Sequence, residues 1–271
     1  MKTMKRILTA ATLAMAVTSV NADPITEAVK SEYRGADAKA RDEYRNPQQT
    51  LRFFGIEPDM KVVEIWPGGG WYTDILAGLL KENGELVAAH FFVDDSTRDY
   101  FKKSLEKFNE RVKTHPPYAD ITVTAFDPEK ALDVTEAGTA DAVLTFRNLH
   151  NWYMNAGEDG VENSFKAFFK ALKPGGVLGV VEHEMPSSGS DEEMEKSGYM
   201  KRDFVIAAAE AAGFELEASS DINANPMDNA NHPRGVWTLP PTLALKEEDR
   251  AKYLAIGESN RMTLKFVKPE A

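Results

Sequence analysis

The sequence contains no cysteine, so it has no disulfide framework and no site for lipid attachment at an N-terminal cysteine. Basic charge is in short supply: 32 Lys and Arg stand against 43 Asp and Glu, a formal net charge of -11. A chain this acidic repels phosphate backbones, which excludes nucleic acid as the expected partner. The apolar run Ile7 to Val20 falls short of the roughly 20 residues that a membrane span needs. No Pro/Ser-rich linker interrupts the chain, and 42% hydrophobic content over 271 residues is enough for one large core.

What is present begins with a leader pattern. Met1-Lys2-Thr3-Met4-Lys5-Arg6 is a basic n-region, Ile7 to Val20 an apolar h-region, and Val20-Asn21-Ala22 a small-residue cleavage site. Residues 1–22 read as a cleaved signal peptide, the alternative being an N-terminal anchor. Cleavage removes Lys2, Lys5 and Arg6 and moves the charge from -11 to -11 - 3 = -14. The expected product, residues 23–271, is one exported domain, periplasmic or secreted, without a membrane contact after cleavage. Its residues 23–55 read as a solvent-facing helical preface and 240–271 as a C-terminal extension with an edge strand.

The centre of the chain is Val62-Val63-Glu64-Ile65-Trp66-Pro67-Gly68-Gly69-Gly70-Trp71-Tyr72-Thr73. An apolar strand with an acid near its end runs into a glycine-rich turn and then an amphipathic segment to Leu80. Such a unit opens the nucleotide-binding half of doubly wound α/β folds. Further strands are expected at Leu86–Phe91, Ile121–Phe126, Ala140–Phe146, Val177–Val181, Phe214–Ala218, Val236–Leu239 and Met262–Val267. Helices are expected at Ser96–Val112, Glu162–Leu172 and Met200–Ala212. The alternation from residue 62 onward is the α/β signature.

Glu64 with Gly68 and Gly70, an aspartate after the third strand, the Asp-x-Val fourth strand, Leu172-Lys173-Pro174-Gly175-Gly176 and the late Ala-Gly-Phe occur in a telling order. Over residues 50 to 240 the chain resembles the class I S-adenosylmethionine-dependent methyltransferases. Within them it resembles a group of exported predicted methyltransferases that carry Glu-Ile-Trp-Pro-Gly-Gly-Gly-Trp-Tyr-Thr. The resemblance implies a doubly wound, mostly parallel seven-stranded sheet and S-adenosyl-L-methionine as cofactor. It places Glu64 at the amino-acid end of the cofactor, the turn Trp66, Gly68, Gly69 and Gly70 along it, His90 at the ribose, and Asp127 with Phe126 at the adenine. Two positions depart from the family pattern. Trp66 stands where a glycine is usual, with Pro67 removing a backbone donor, and His90 replaces the acid that holds the ribose, for which Asp94 and Asp95 are the nearest substitutes. The same residues also have plain structural readings: a surface acid for Glu64, an ordinary turn for the glycines and a helix cap for Asp127.

Phe146-Arg147-Asn148-Leu149-His150-Asn151-Trp152-Tyr153 leaves the fourth strand, where the resemblance places the transferred methyl. Asn148, His150 and Tyr153 are the expected catalytic residues, with Trp152 beside them, and His150 is a candidate general base. Its alternative is a histidine packed under a loop. The loop is not of the Asn-Pro-Pro-Tyr type that presents a nucleobase amine, and its Arg-Asn pair loosely resembles quinone-ring methyltransferases. Glu182-His183-Glu184 and His232 with Arg234 could ligate a metal, but no fixed ligand spacing appears and none is expected. Trp237 and Met262 read as core or lid packing. Two functions stand: methyl transfer to a small aromatic or hydroxylated molecule, or non-catalytic binding of a small molecule on a methyltransferase fold.

Overall fold

The computed structural model describes residues 23–270, so the leader assigned to residues 1–22 lies outside it. Asp23 accepts the Thr26 amide at 2.8 Å and Pro24 takes the first helical position, which together start helix α1 (Pro24–Lys30). Short helices α2 (Ala36–Lys39) and α3 (Asp42–Arg45) follow, and Pro47 starts α4 (Pro47–Phe54), which ends at left-handed Gly55. This preface does more than face solvent. Leu51 and Phe54 of α4 are fully buried with Ile25 and Ala28 of α1 against one face of the sheet.

Beyond the preface come β1 (Lys61–Ile65), α5 (Thr73–Leu80), β2 (Glu85–Phe91), α6 (Asp99–Thr114), β3 (Thr122–Phe126), β4 (Ala140–Phe146) and α7 (Leu149–Ala171). The second half contains β5 (Leu172–Met185), α8 (Asp191–Ser197), β6 (Met200–Lys201), α9 (Arg202–Ala211), β7 (Glu215–Ser220), α10 (Arg250–Ile256) and β8 (Arg261–Val267). Seven strands lie in the order β3-β2-β1-β4-β5-β8-β7, and two-residue β6 pairs with β5 off this path. The pairs from β3 to β5 are parallel, and β8 runs antiparallel to both β5 and β7. The expected doubly wound, mostly parallel sheet is present.

Both faces of the central parallel strands β1, β2, β4 and β5 are covered, which is why they read as apolar runs, whereas edge strand β3 is only partly buried and alternates. Val63, Ile65, Val87 and Val143 pack beneath α7 and α9, while Val62, Ala88 and Leu144 pack beneath α4 and α5. Each fully buried Val, Leu or Phe contributes about 1.5–3 kcal/mol. Gly179 on β5 shows how tightly α4 is seated, since a Cβ there would lie 2.8 Å from the Phe54 ring.

Three sequence expectations are corrected. Met262–Val267 is no edge strand: β8 inserts between β5 and β7, and Met262, Leu264 and Phe266 are fully buried. Val236–Leu239 is not a strand but part of a short 3₁₀ turn, Gly235–Thr238, entered through left-handed Gly235. The segment leaving β4 is helical from Leu149, and α7 bends at Gly157, where φ is 64° and ψ is -152°.

Candidate active site

The strand order reverses between β1 and β4, and a cleft of about 690 Å³ opens there at the carboxyl ends of the strands. One wall is the turn after β1. Trp66 is left-handed at φ 46° and donates its amide to the Ala89 carbonyl at 2.8 Å. Gly68 and Gly69 have open space where a Cβ would sit, so the backbone is bare to the cleft. Gly70 serves packing instead: at φ 85° it lies against the Tyr118 hydroxyl, which donates to the buried Asp74 carboxylate at 2.8 Å. Arg111 also donates to Asp74, at 2.5 Å, and so ties α6 to the start of α5.

Glu64 lines the cleft although it is only 2% exposed. Thr73 Oγ1 donates to Glu64 Oε2 at 2.6 Å, and among the described residues no cation forms an ion pair with the carboxyl, although the Arg147 guanidinium also pulls its pKa downward. Burial pushes the Glu64 carboxyl up to about 8, against the smaller downward pull of the Thr73 hydrogen bond. A cation placed beside this carboxyl would favour its ionised form.

The Trp66 indole packs among Phe91, Phe101, Phe126 and Trp152, with ring centroids 4.8–6.3 Å away. It divides the main cleft from a second cavity of about 210 Å³ that Asp127 lines. Asp127 Oδ1 accepts the Glu129 and Lys130 amides at 2.9 Å, so this carboxylate caps a turn as well as facing that cavity. Phe126 is fully buried beneath the indole and lines neither cavity.

His90 does not line the cleft. Its Nδ1 accepts the Phe91 amide at 2.8 Å, which leaves Nε2 to donate to the Gly68 carbonyl at 3.2 Å. Its ring is fully buried against Phe108, and burial lowers the imidazole to about 4. The histidine braces the glycine turn from below. Asp94 is committed elsewhere, pairing with Lys130 at 2.7 Å and capping Ser96.

At the exit of β4, Asn148 lines the cleft and its side-chain amide donates to the Ile65 carbonyl at 2.8 Å. His150 also lines the cleft, in the first turn of α7. Its Nδ1 lies 2.9 Å from Oε1 of Glu182, which is fully buried. Glu182 accepts the Leu149 and His183 amides at 2.7 Å and the His150 amide at 3.4 Å. A carboxylate so engaged acts as acceptor, which makes Nδ1 the donor and leaves Nε2 to accept from the Asn151 side-chain amide at 3.0 Å. Tyr153, by contrast, does not reach the cleft. The helical start at Leu149 rotates it outward from the site, where it packs edge-on to Phe204.

His150, Glu182 and His183 place ligating atoms within 4.8 Å of one another. The chemistry of the group is poor for a cation. Both oxygens of Glu182 are occupied by N–H donors, and His183 Nδ1 lies 2.5 Å from the Ser259 hydroxyl. Burial first, then His150 and the guanidiniums of Arg261, Arg147 and Arg45, hold the His183 imidazole neutral. His232 is remote from the group and pairs with Asp228 at 2.8 Å.

Sequence reading did not foresee the arginines. Arg41 and Arg45 from the preface and Arg147 after β4 line the cleft, with Arg261 of β8 behind them. The one available signal was the four-residue spacing of Arg41 and Arg45 in a helical stretch.

No protein-family model matches the sequence. No curated protein matches it. Solved structures do share its fold. The cyclase SpnF is 14% identical with a TM-score of 0.59, covering 92% of this chain and 92% of its own. An S-adenosylmethionine-dependent methyltransferase from Aquifex aeolicus is 15% identical with a TM-score of 0.54, covering 91% of this chain and 98% of its own. A possible exported protein from Bordetella parapertussis is 17% identical with a TM-score of 0.50, covering 90% and 78%. The chain has the fold of the class I S-adenosylmethionine-dependent methyltransferases.

Proposed function

We propose that this protein transfers a methyl group from S-adenosylmethionine to a small molecule bearing an aromatic or hydroxyl group. The observation that carries this reading is the convergence of two devices on one cleft: the unpaired Glu64 carboxyl beside the open Gly68-Gly69 turn, and the Glu182-oriented His150 imidazole.

The donor set fits the cofactor. Glu64 is a buried carboxyl with no ion-pair partner among the described residues, and the cofactor's amino group is a cation of the right kind. The bare turn admits its backbone-length chain, and the aromatic cavity at Asp127 suits a purine with an amino group. When bound, the cofactor supplies an electrophilic methyl group. His150 Nε2, once the acceptor hydroxyl takes the place of the Asn151 amide, is the base that takes its proton, and Glu182 steadies the imidazolium that results. Asn148 fixes the exit of β4 to the end of β1 and so sets the spacing between the two devices. The leader pattern of residues 1–22 supports a place of action in the periplasm or outside the cell.

A second reading, a binding protein without catalysis, is favoured by two observations. The Trp66 indole fills the space between the strand ends, and His90 turns inward, leaving no side-chain acceptor from β2 for a ribose. Fold does not decide between them, since one neighbour is described as a cyclase. Calorimetric titration with S-adenosylmethionine and S-adenosylhomocysteine separates the readings. Binding of both is expected, and no heat from either at millimolar concentration rejects methyl transfer.

A further inference from the structure

A third cavity, a chamber of about 210 Å³ distinct from the one at Asp127, adjoins the main cleft, and Arg41, Arg45, Arg147, His150 and Trp237 line both cleft and chamber. Its far wall carries Arg261 and Glu258. The charges around it do not balance. Glu258 accepts from Arg41 Nε at 2.6 Å, from Arg45 Nε at 3.2 Å and from Arg261, so one carboxylate serves three guanidiniums. Arg147 is a fourth, with no hydrogen-bond or ion-pair partner among the described residues.

Donor capacity is left over in buried positions. Arg41 Nη2 and Arg261 Nε are both buried without an acceptor, and Arg261 is only 2% exposed. Native proteins leave few such groups unpaired, because burying an unsatisfied charged donor is costly. Arg147 is also held in place by unusual backbone: its φ is 62°, a region that residues with a Cβ seldom occupy, and its amide donates to the Val181 carbonyl at 2.7 Å. In a protein with a net charge of -11 this is a concentrated positive site. Glu182 forms no ion pair with these guanidiniums, and its oxygens are taken up by three backbone amides and the His150 ring.

We propose that this chamber binds the anionic group of the methyl acceptor, a carboxylate or phosphate, through Arg147 with Arg41, Arg45 and Arg261. The assignment to the acceptor rests on the methyl-transfer reading; anion binding itself does not. His150 lies at the mouth between chamber and cleft, so an acceptor anchored by its anion would present its hydroxyl to Nε2. Trp237, edge-on to His150 with centroids 6.1 Å apart, offers an aromatic face to the acceptor's body.

Calorimetry on the purified protein tests this with benzoate and phenyl phosphate as probes and benzamide as their neutral counterpart. One or both anions should bind at least tenfold more tightly than benzamide and lose affinity as salt rises, and the stronger anion names the group. Equal affinity of anions and benzamide would overturn the site without need of any variant. Arg147→Ala removes no hydrogen bond or ion pair of the guanidinium among the described residues and should weaken the better anion at least tenfold, with Arg147→Lys retaining part of it. Unchanged affinity in a folded Arg147→Ala protein overturns the assignment of Arg147. S-Adenosylhomocysteine is then titrated with the anion present. Independent binding of both supports an acceptor site, whereas mutual exclusion gives the guanidiniums to the cofactor's carboxylate and refutes the acceptor assignment. Anion binding without any S-adenosylhomocysteine binding leaves the anion site standing and fails methyl transfer alone.

Discussion

The Trp66 indole donates its Nε1–H to the Phe126 carbonyl at 2.9 Å, joining the turn after β1 to the end of β3 across the intervening strand β2. This bond explains how a bulky residue is held in left-handed backbone at φ 46°, where such residues cost about 1–2 kcal/mol. The indole repays that cost by burying its face against Phe91, Phe101 and Trp152.

Trp66→Gly therefore relieves backbone strain but empties an aromatic cluster. Truncation of a buried aromatic costs about 3–5 kcal/mol, and the half-buried Trp66 regains about 1 kcal/mol of strain. A net loss of about 2 kcal/mol is expected in urea unfolding. The same change merges the main cleft with the Asp127 cavity, so affinity for S-adenosylhomocysteine should rise in the folded variant. A stable variant with lower affinity would show instead that the indole is part of the ligand's bed.

Gly70→Ala should be more damaging than Gly69→Ala, although both lie in one turn. At Gly70 a Cβ runs into the Tyr118 hydroxyl and must also take φ 85°, while at Gly69 it meets nothing within 4 Å. A loss of about 1–3 kcal/mol is expected at Gly70 and under 1 kcal/mol at Gly69. Equal midpoints in denaturation would contradict the packing described for Tyr118 and Asp74.

The strand-turn-helix around Glu64 could be read from sequence because its signals are local: apolar strand, glycines, amphipathic helix. So could the parallel sheet, from the regular alternation of elements. What could not be read depends on orientation or distance. His90 sits at the expected strand end, but the pleat turns its ring to the α6 side, onto Phe108. Tyr153 follows the fourth strand as expected, but the helix begins at Leu149 and its rotation carries that ring away from the cleft while keeping His150 in it. The arginine site draws on residues 41 to 261, and no short-range pattern announces contacts across such a separation.

His150→Gln should leave ligand binding intact and lower methyl transfer about 10²–10⁴-fold, the usual worth of a positioned base. The readout is product formation from labelled cofactor, set beside calorimetric affinity for S-adenosylhomocysteine. Glu182→Gln should cost stability as well, about 2–3 kcal/mol, because its amide would face N–H donors that now meet a carboxylate oxygen. Full activity in His150→Gln would remove this histidine from the chemistry.

The buried Glu64 carboxyl predicts a pH dependence whose sign is fixed. Its folded pKa of about 8 lies above the ordinary value of 4.5, so between these values the folded protein keeps a proton that the unfolded chain releases. Stability from this group therefore falls as pH rises from about 4.5 to about 8, by on the order of 5 kcal/mol. His90, lowered to about 4 from 6.5, acts oppositely: the unfolded chain takes up a proton that the folded one refuses, so stability falls as pH drops through that range. Comparison of wild type with Glu64→Gln cancels His90 and isolates Glu64, since the amide oxygen still accepts from Thr73. Urea midpoints of the variant should gain steadily on wild type from pH 5 to pH 8 and hold a constant offset above. Binding has the complementary signature. A ligand ammonium requires the carboxylate, so at pH 7 its binding should release close to one proton, visible as a dependence of calorimetric enthalpy on the ionisation enthalpy of the buffer. Glu64→Gln should abolish that dependence, and a wild-type enthalpy indifferent to buffer would mean that Glu64 does not meet the ligand's cation.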